Sequence, residues 1–262
     1  MKYILSVIFL IHLSNTSLAQ DSSICYLRDN AGRIREHNVD FAKMVLQVKF
    51  NTKEGKVSGQ VKYDFKPLQY IVDTLFLNAP GIAIEKVLLD GKPVNFVTDT
   101  DGLVIRFAQS LNWNKNYKLD ISYEATPRKG LYFIGWNVDT KNETKNRYFT
   151  RKQIWTQGQG IDNRHWIPCY DDVNDKMITE TIITFDSAYT VVSNGILKSR
   201  KINTDGTSTW HYAMTSQWFR ISLCSQSTNT NTATIPVKMN GESAILLCRS
   251  PRNRGAYLSI QC

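Results

Sequence analysis

The chain has 262 residues, 42% hydrophobic, 11% aromatic and 21% charged, which is enough for one large or two modest folded domains and too apolar for a disordered chain. Fourteen Gly and seven Pro are ordinary numbers and exclude collagen-like and low-complexity classes. The net charge is +9, but Lys is scattered among acids through the body of the chain, so a solvated surface is expected and nucleic acid is not expected as a partner.

Residues 1–19 read as a secretory signal. Lys2 precedes an apolar run, and Ser17-Leu18-Ala19 supplies small residues before Gln20. The run is roughly half the ~20 apolar residues that a membrane span needs. The expected product is therefore exported, secreted or periplasmic, with no membrane span after signal cleavage. The five Cys (25, 169, 224, 248 and 262) contain no Cys-x-x-Cys, so neither a disulfide scaffold nor a zinc knuckle is signalled.

From Met44 to Met214 the hydrophobic period is two. Met44, Leu46, Val48 and Phe50 alternate with polar positions, and Val57, Val61, Tyr63 and Phe65 do the same beyond the turn-like Asn51–Gly55. That pattern predicts a hairpin with one buried face. Further alternating sets follow at Leu75/Leu77, Val87/Leu89, Leu103/Ile105/Phe107, Tyr117/Leu119/Ile121/Tyr123 and Trp210/Tyr212/Met214. The dipeptides Asp90-Gly91, Asp101-Gly102, Asn194-Gly195 and Asp205-Gly206 have the chemistry of tight hairpin turns with positive φ. The expected fold is all-β, an antiparallel sandwich or saddle-shaped pair of sheets with long aromatic-rich loops.

Residues 125–176 break this rhythm with Pro127, Gly130, Trp136, Trp155, Gly158, Gly160, Trp166 and Pro168. Ordered long loops of this kind are often functional. Asn142-Glu143-Thr144 fits a glycosylation sequon. The domain assignment is residues 1–19 as signal, 20–216 as the β-domain and 217–262 as an atypical tail. In that tail the alternation stops and Glu242 is the single acid against Arg220, Lys238, Arg249, Arg252 and Arg254. It reads either as a flexible, disordered tail or as a stretch translated in a shifted frame.

Most catalytic patterns are excluded by spacing. His12, His37, His165 and His211 are never four apart, so no His-Glu-x-x-His zinc helix exists in this chain. No Gly-x-Ser-x-Gly elbow and no phosphate-cradling glycine loop is present. Cys169 and His165 form the one close Cys/His pair, yet Cys169 beside Pro168 reads as a small buried hydrophobe. Asp171, Asp172 and Asp175 lack the spacing of an EF-hand loop, and turn formation or pairing with Arg164 and Lys176 is the expected role.

What remains is the run Trp155-Thr-Gln-Gly-Gln-Gly-Ile-Asp-Asn-Arg-His-Trp-Ile-Pro-Cys-Tyr-Asp-Asp172, with Lys176 before a strand and Ser193-Asn194-Gly195 after it. With Gly130-Leu-Tyr-Phe133 and Leu89-Asp-Gly-Lys-Pro-Val94 upstream, this resembles the N-terminal domain of the aminopeptidase N and leukotriene hydrolase family of zinc metallopeptidases. The resemblance covers residues 36–216. It implies a saddle of β-sheets packed over a separate zinc-bearing catalytic domain, and a Thr-Gln-x-Glu/Gln loop that helps hold a peptide's free amine. Carried over, the substrate-binding positions are Gln157 and Gln159, and the partners are peptide N-termini. A Gln amide oxygen accepts from an ammonium without moving a proton. Position 159 is Gln where many members carry Glu, so there the amine meets a dipole instead of a full charge. Zinc is the cofactor of complete family members; no metal-binding or catalytic residue is expected in this chain, which is expected to be inactive alone. The competing reading is a stand-alone β-sandwich binding module for peptides or a protein partner.

Overall fold

The computed structural model describes residues 37–136, 152–158, 160–172 and 174–215, together with the backbone of 218–219 and 246–249. In chain order the strands are β1 (Val39–Asn51), β2 (Lys56–Pro67), β3 (Thr74–Asn78), β4 (Ala83–Leu89), β5 (Lys92–Pro93), β6 (Asn95–Thr98), β7 (Gly102–Arg106), β8 (Tyr117–Ala125), β9 (Leu131–Ile134), β10 (Gln153–Thr156), β11 (Lys176–Asp186), β12 (Tyr189–Val192), β13 (Ile196–Ile202), β14 (Thr207–Ala213), β15 (Trp218–Phe219) and β16 (Leu246–Arg249). Among the described residues they make three sheets. The largest runs β13-β14-β11-β1-β2-β8-β4-β5, with β15 on β11. A second runs β12-β16-β10-β9, and a third β3-β7-β6. The all-β expectation holds.

The expected first hairpin is present. Asn51 Oδ1 accepts the backbone N–H groups of Lys53 (3.1 Å) and Glu54 (3.3 Å), and Gly55 takes φ 64° to close the turn. A bulge between Phe41 and Lys43 shifts the register, so the buried set changes from Val39 and Phe41 to Met44, Leu46 and Val48. On β2 the inward series is Val57, Gly59, Val61, Tyr63 and Phe65. Gly59 pairs with Tyr123 of β8, and a Cβ on it would lie 2.4 Å from Tyr123 Cζ. The tyrosine ring fills the space that a side chain at 59 would need.

Several turn expectations change. Asp90 (φ 49°) and Gly91 (φ 80°) form the expected two-residue hairpin turn between β4 and β5. Gly102 instead lies within β7, where a Cβ would sit 2.1 Å from the Leu77 carbonyl oxygen; close strand approach, not positive φ, requires the glycine. Asn194-Gly195 joins β12 to β13, which belong to different sheets, so it is a corner and not a hairpin. Asp205-Gly206 does connect the β13–β14 hairpin, with positive φ at Gly206 only. The Trp210/Tyr212 strand ends at Ala213, one residue short of Met214.

The pairing is not purely antiparallel, since β1 and β11 run parallel. Parallel neighbours need a long crossover, and here it runs from β2 through β10. One hydrophobic cluster unites the sheets: Leu46 and Ile121 of the large sheet, Leu77 and Ile105 of the third, Ile154 and Val191 of the second. No helix among the described residues is long and apolar enough to cross a membrane. The expected signal (1–19), the sequon at 142–144 and most of 217–262 lie outside the described residues.

Candidate functional site

Among the described residues, 125–176 holds two short strands that its irregular sequence does not announce. β9 and β10 pair antiparallel, with Tyr132 opposite Trp155. Just beyond β10 the ladder continues for one more bond, Gln157 N–H donating to the Gly130 carbonyl at 2.8 Å. Gly130 has φ 75°, and a Cβ there would lie 2.0 Å from the Asp162 carbonyl oxygen and 3.0 Å from the Trp166 ring. A Cβ on Gly158 would lie 2.0 Å from Asn163 Oδ1. Both glycines let the turn through the short 3-10 segment Asn163–His165 pack against the strand ends.

The rest of this segment is stitched to the sheets by polar groups, as buried backbone requires. Trp166 is fully buried. Tyr63 Oη donates to the Pro168 carbonyl at 2.8 Å. Cys169 exchanges two backbone hydrogen bonds with Asn78 (2.8 and 3.0 Å), and Asn78 Oδ1 accepts the Asp171 N–H at 3.2 Å. Arg164 donates through Nε to Asp171 Oδ2 at 3.0 Å and through its guanidinium to the Asp171 carbonyl at 3.0 Å. Asp175 Oδ2 accepts the Phe41 N–H at 3.3 Å. Burial pushes the Asp175 carboxyl up to about 7.

These contacts sort the sequence candidates. Asp171 pairs with Arg164, as expected. Asp172 accepts the Asn174 N–H in a turn (3.4 Å), and Asp175 clamps β1. The three acids therefore diverge, and among the described residues no three His, Cys, Asp or Glu side chains stand together as a metal site. Cys169 is buried, as a small hydrophobe would be. His165 Nε2 lies 3.7 Å from Asp162 Oδ1, and its own burial lowers its proton affinity. Gln157 is exposed at the end of β10, and Gln159 lies outside the described residues. Sequence reasoning passed over Asn78, gave Tyr63 only as a buried strand position, and named Tyr132 and Trp155 within motifs without pairing them. A hydroxyl at an inward strand position was the available signal for Tyr63; the others depend on contacts far apart in sequence.

A family profile described as the Peptidase M1 N-terminal domain matches residues 36–218. Similar solved structures include the M1 zinc metallopeptidase from Deinococcus radiodurans (13% identity, TM-score 0.59, 81% of this chain and 42% of that one). A mutant of the enzyme from the same organism, bound to the substrate Tyr-Ser-Ala, aligns with 12% identity and TM-score 0.60 over 81% of this chain and 43% of that one. Native LTA4 hydrolase from yeast aligns with 21% identity and TM-score 0.55, covering 69% of this chain and 27% of that one. The chain thus spans less than half the length of these neighbours, and at such identities the likeness is one of fold. No curated protein matches the chain.

Proposed function

We propose, from the premise that the chain belongs to the Peptidase M1 N-terminal domain family, that it is the substrate-positioning domain of an exported zinc aminopeptidase-like protein. In this reading Gln157 and Gln159 receive the free α-amine of a peptide. The observation that carries it is the presentation of Gln157. Its backbone is pinned to Gly130 at 2.8 Å, the preceding Thr156 is fully buried, and its own side chain is exposed. The pinned backbone fixes where the side chain starts, and its amide oxygen can then accept an ammonium N–H in a charge-assisted bond at the cost of its own rotamer freedom.

Two of the similar structures hold ligands of that kind. One M1 zinc metallopeptidase mutant is bound to L-tryptophan and another to Tyr-Ser-Ala. Zinc in those enzymes supplies the hydrolytic chemistry. In this reading the share of the present chain is to bind and orient. Export rests on the apolar run and small residues of 1–19.

Calorimetric titration of short peptides into the protein tests the reading. Wild type binds peptides with a free amino end, N-acetylated counterparts bind much more weakly, and Gln157→Ala weakens binding by about tenfold, the scale of one hydrogen bond to a charged group. Equal affinity for free and acetylated peptides sinks the proposal.

A further inference from the structure

The outer face of the β12-β16-β10-β9 sheet carries a feature not yet given a role. Burial alternates along β10: Ile154 and Thr156 are fully buried, Gln153 and Trp155 half-buried, and Gln157 exposed. Successive strand residues point to opposite faces, so Gln153, Trp155 and Gln157 share the face turned away from the core. Tyr132 sits opposite Trp155 across the ladder, and their rings stack with centroids 4.7 Å apart and planes 25° from parallel. β9 is the end strand of this sheet among the described residues, so no described strand of the sheet extends past the outer side of Tyr132. Gln157 follows Trp155 by one strand repeat, about 7 Å along the chain.

Resting on the reading above, we infer that Tyr132 and Trp155 form the side-chain subsite beside the amine position, and that they select peptides whose first residue is aromatic or large and branched. The spacing is the reason. A peptide whose amine is held at Gln157 can reach the ring pair only with a long or bulky first side chain; a methyl group falls short. The rings offer edges and one outer face to an apolar group, which gains both burial and aromatic contact there. The register explains why both residue types are needed together: position 157 orients the amine, and the pair one repeat back reads the side chain.

The test is a matrix of peptides and variants on the full chain. Phe-Ser-Ala, Leu-Ser-Ala and Ala-Ser-Ala, each with a free and an acetylated amino end, are titrated calorimetrically into wild type, Tyr132→Ala, Tyr132→Phe and Trp155→Ala. Wild type is expected to prefer Phe-Ser-Ala over Ala-Ser-Ala by about fivefold or more, on the scale of aromatic contact plus burial. Tyr132→Ala and Trp155→Ala bring that ratio toward one while the loss on acetylation persists, and Tyr132→Phe retains the preference. A wild-type ratio near one with acetylation still damaging overturns the subsite and leaves the amine site standing. Full selectivity in both alanine variants also overturns it. Absence of binding by every peptide removes the amine site and the subsite together. Should either alanine variant unfold by circular dichroism, Tyr132→Leu and Trp155→Leu take its place, and wild-type selectivity kept in both overturns the subsite.

Discussion

The largest sheet and the β12-β16-β10-β9 sheet are built on different principles. In the first, β1, β2 and β8 are 13, 12 and 9 residues long, and Leu46, Val61, Leu119 and Ile121 are fully buried. Each such side chain contributes about 1.5–3 kcal/mol on burial, so these strands hold themselves against the core. In the second, every strand is four residues long. Four residues bury too little to specify a conformation, and this sheet takes its geometry from contacts beyond itself. Trp136 meets Phe185 of β11, Phe133 meets Phe50 of β1, and Gly130 abuts Asp162 and Trp166. The large sheet is held by its own long strands, whereas the region bearing Gln157 is positioned by the large sheet and by the segment through Asp162 and Trp166.

The strongest way to break this contrast is Trp166→Ala. Its ring is fully buried and lies against Gly130 at the start of β9. Removing it costs about 3–5 kcal/mol, measured by urea unfolding, and hydrogen exchange in β9 and β10 accelerates before that in β2 and β8. A loss under about 1 kcal/mol, or equal acceleration in both sheets, shows that the small sheet does not lean on this loop.

Next in size is the pH response of Asp175, the clamp between the crossover and β1. Its folded carboxyl is raised by burial to about 7 from its ordinary value of 3.8. The folded state therefore keeps the proton where the unfolded chain has lost it, and stability from this group is full below about pH 4, declines up to about pH 7 and is flat above. The total is at most on the order of 4 kcal/mol. Asp90, Glu124, Glu180 and Asp205 have lowered values and act oppositely, losing stability as pH falls. They are common to wild type and Asp175→Asn, so the difference between the two stability curves isolates position 175. That difference should slope between pH 4 and 7; a flat one refutes the buried acid.

Within the large sheet, Gly59→Ala probes how tightly regular strands are filled. The new Cβ meets Tyr123 at 2.4 Å, and the tyrosine is itself buried. Overpacking costs about 1–3 kcal/mol, and combining it with Tyr123→Leu recovers part of the loss if that ring is the obstacle. A strictly additive double variant argues against it.

These two regions also explain what could be read from the residues alone. Alternation over 44–65 and 117–123 is strictly local, so the hairpin and its buried face follow directly from it. The parallel pairing of β1 with β11 does not, because it joins residues such as Val45 and Glu180 across the whole crossover. Asp101-Gly102 misled for a related reason. Its glycine answers a carbonyl of β3, a contact invisible from the neighbouring residues. At the site, the Thr-Gln motif marks Gln157 by resemblance, while the aromatic pair beside it emerges only when β9 and β10 are paired.

The smallest expected effect sharpens the contrast most. Gln157 is exposed, and it enters the hydrogen-bonded framework through its backbone N–H to Gly130, which alanine keeps. Gln157→Ala should therefore leave stability within about 0.5 kcal/mol of wild type, as exposed substitutions usually do, with an unchanged midpoint and slope in urea. Gly130→Ala, a few ångströms away, should be severe, since it loads a positive φ and drives a Cβ into the Asp162 carbonyl. A functional side chain on a frame held by its surroundings can be removed without disturbing the frame; a frame residue cannot. If Gln157→Ala destabilises as much as Gly130→Ala, the glutamine is part of the frame, and its exposure is no argument for a binding role.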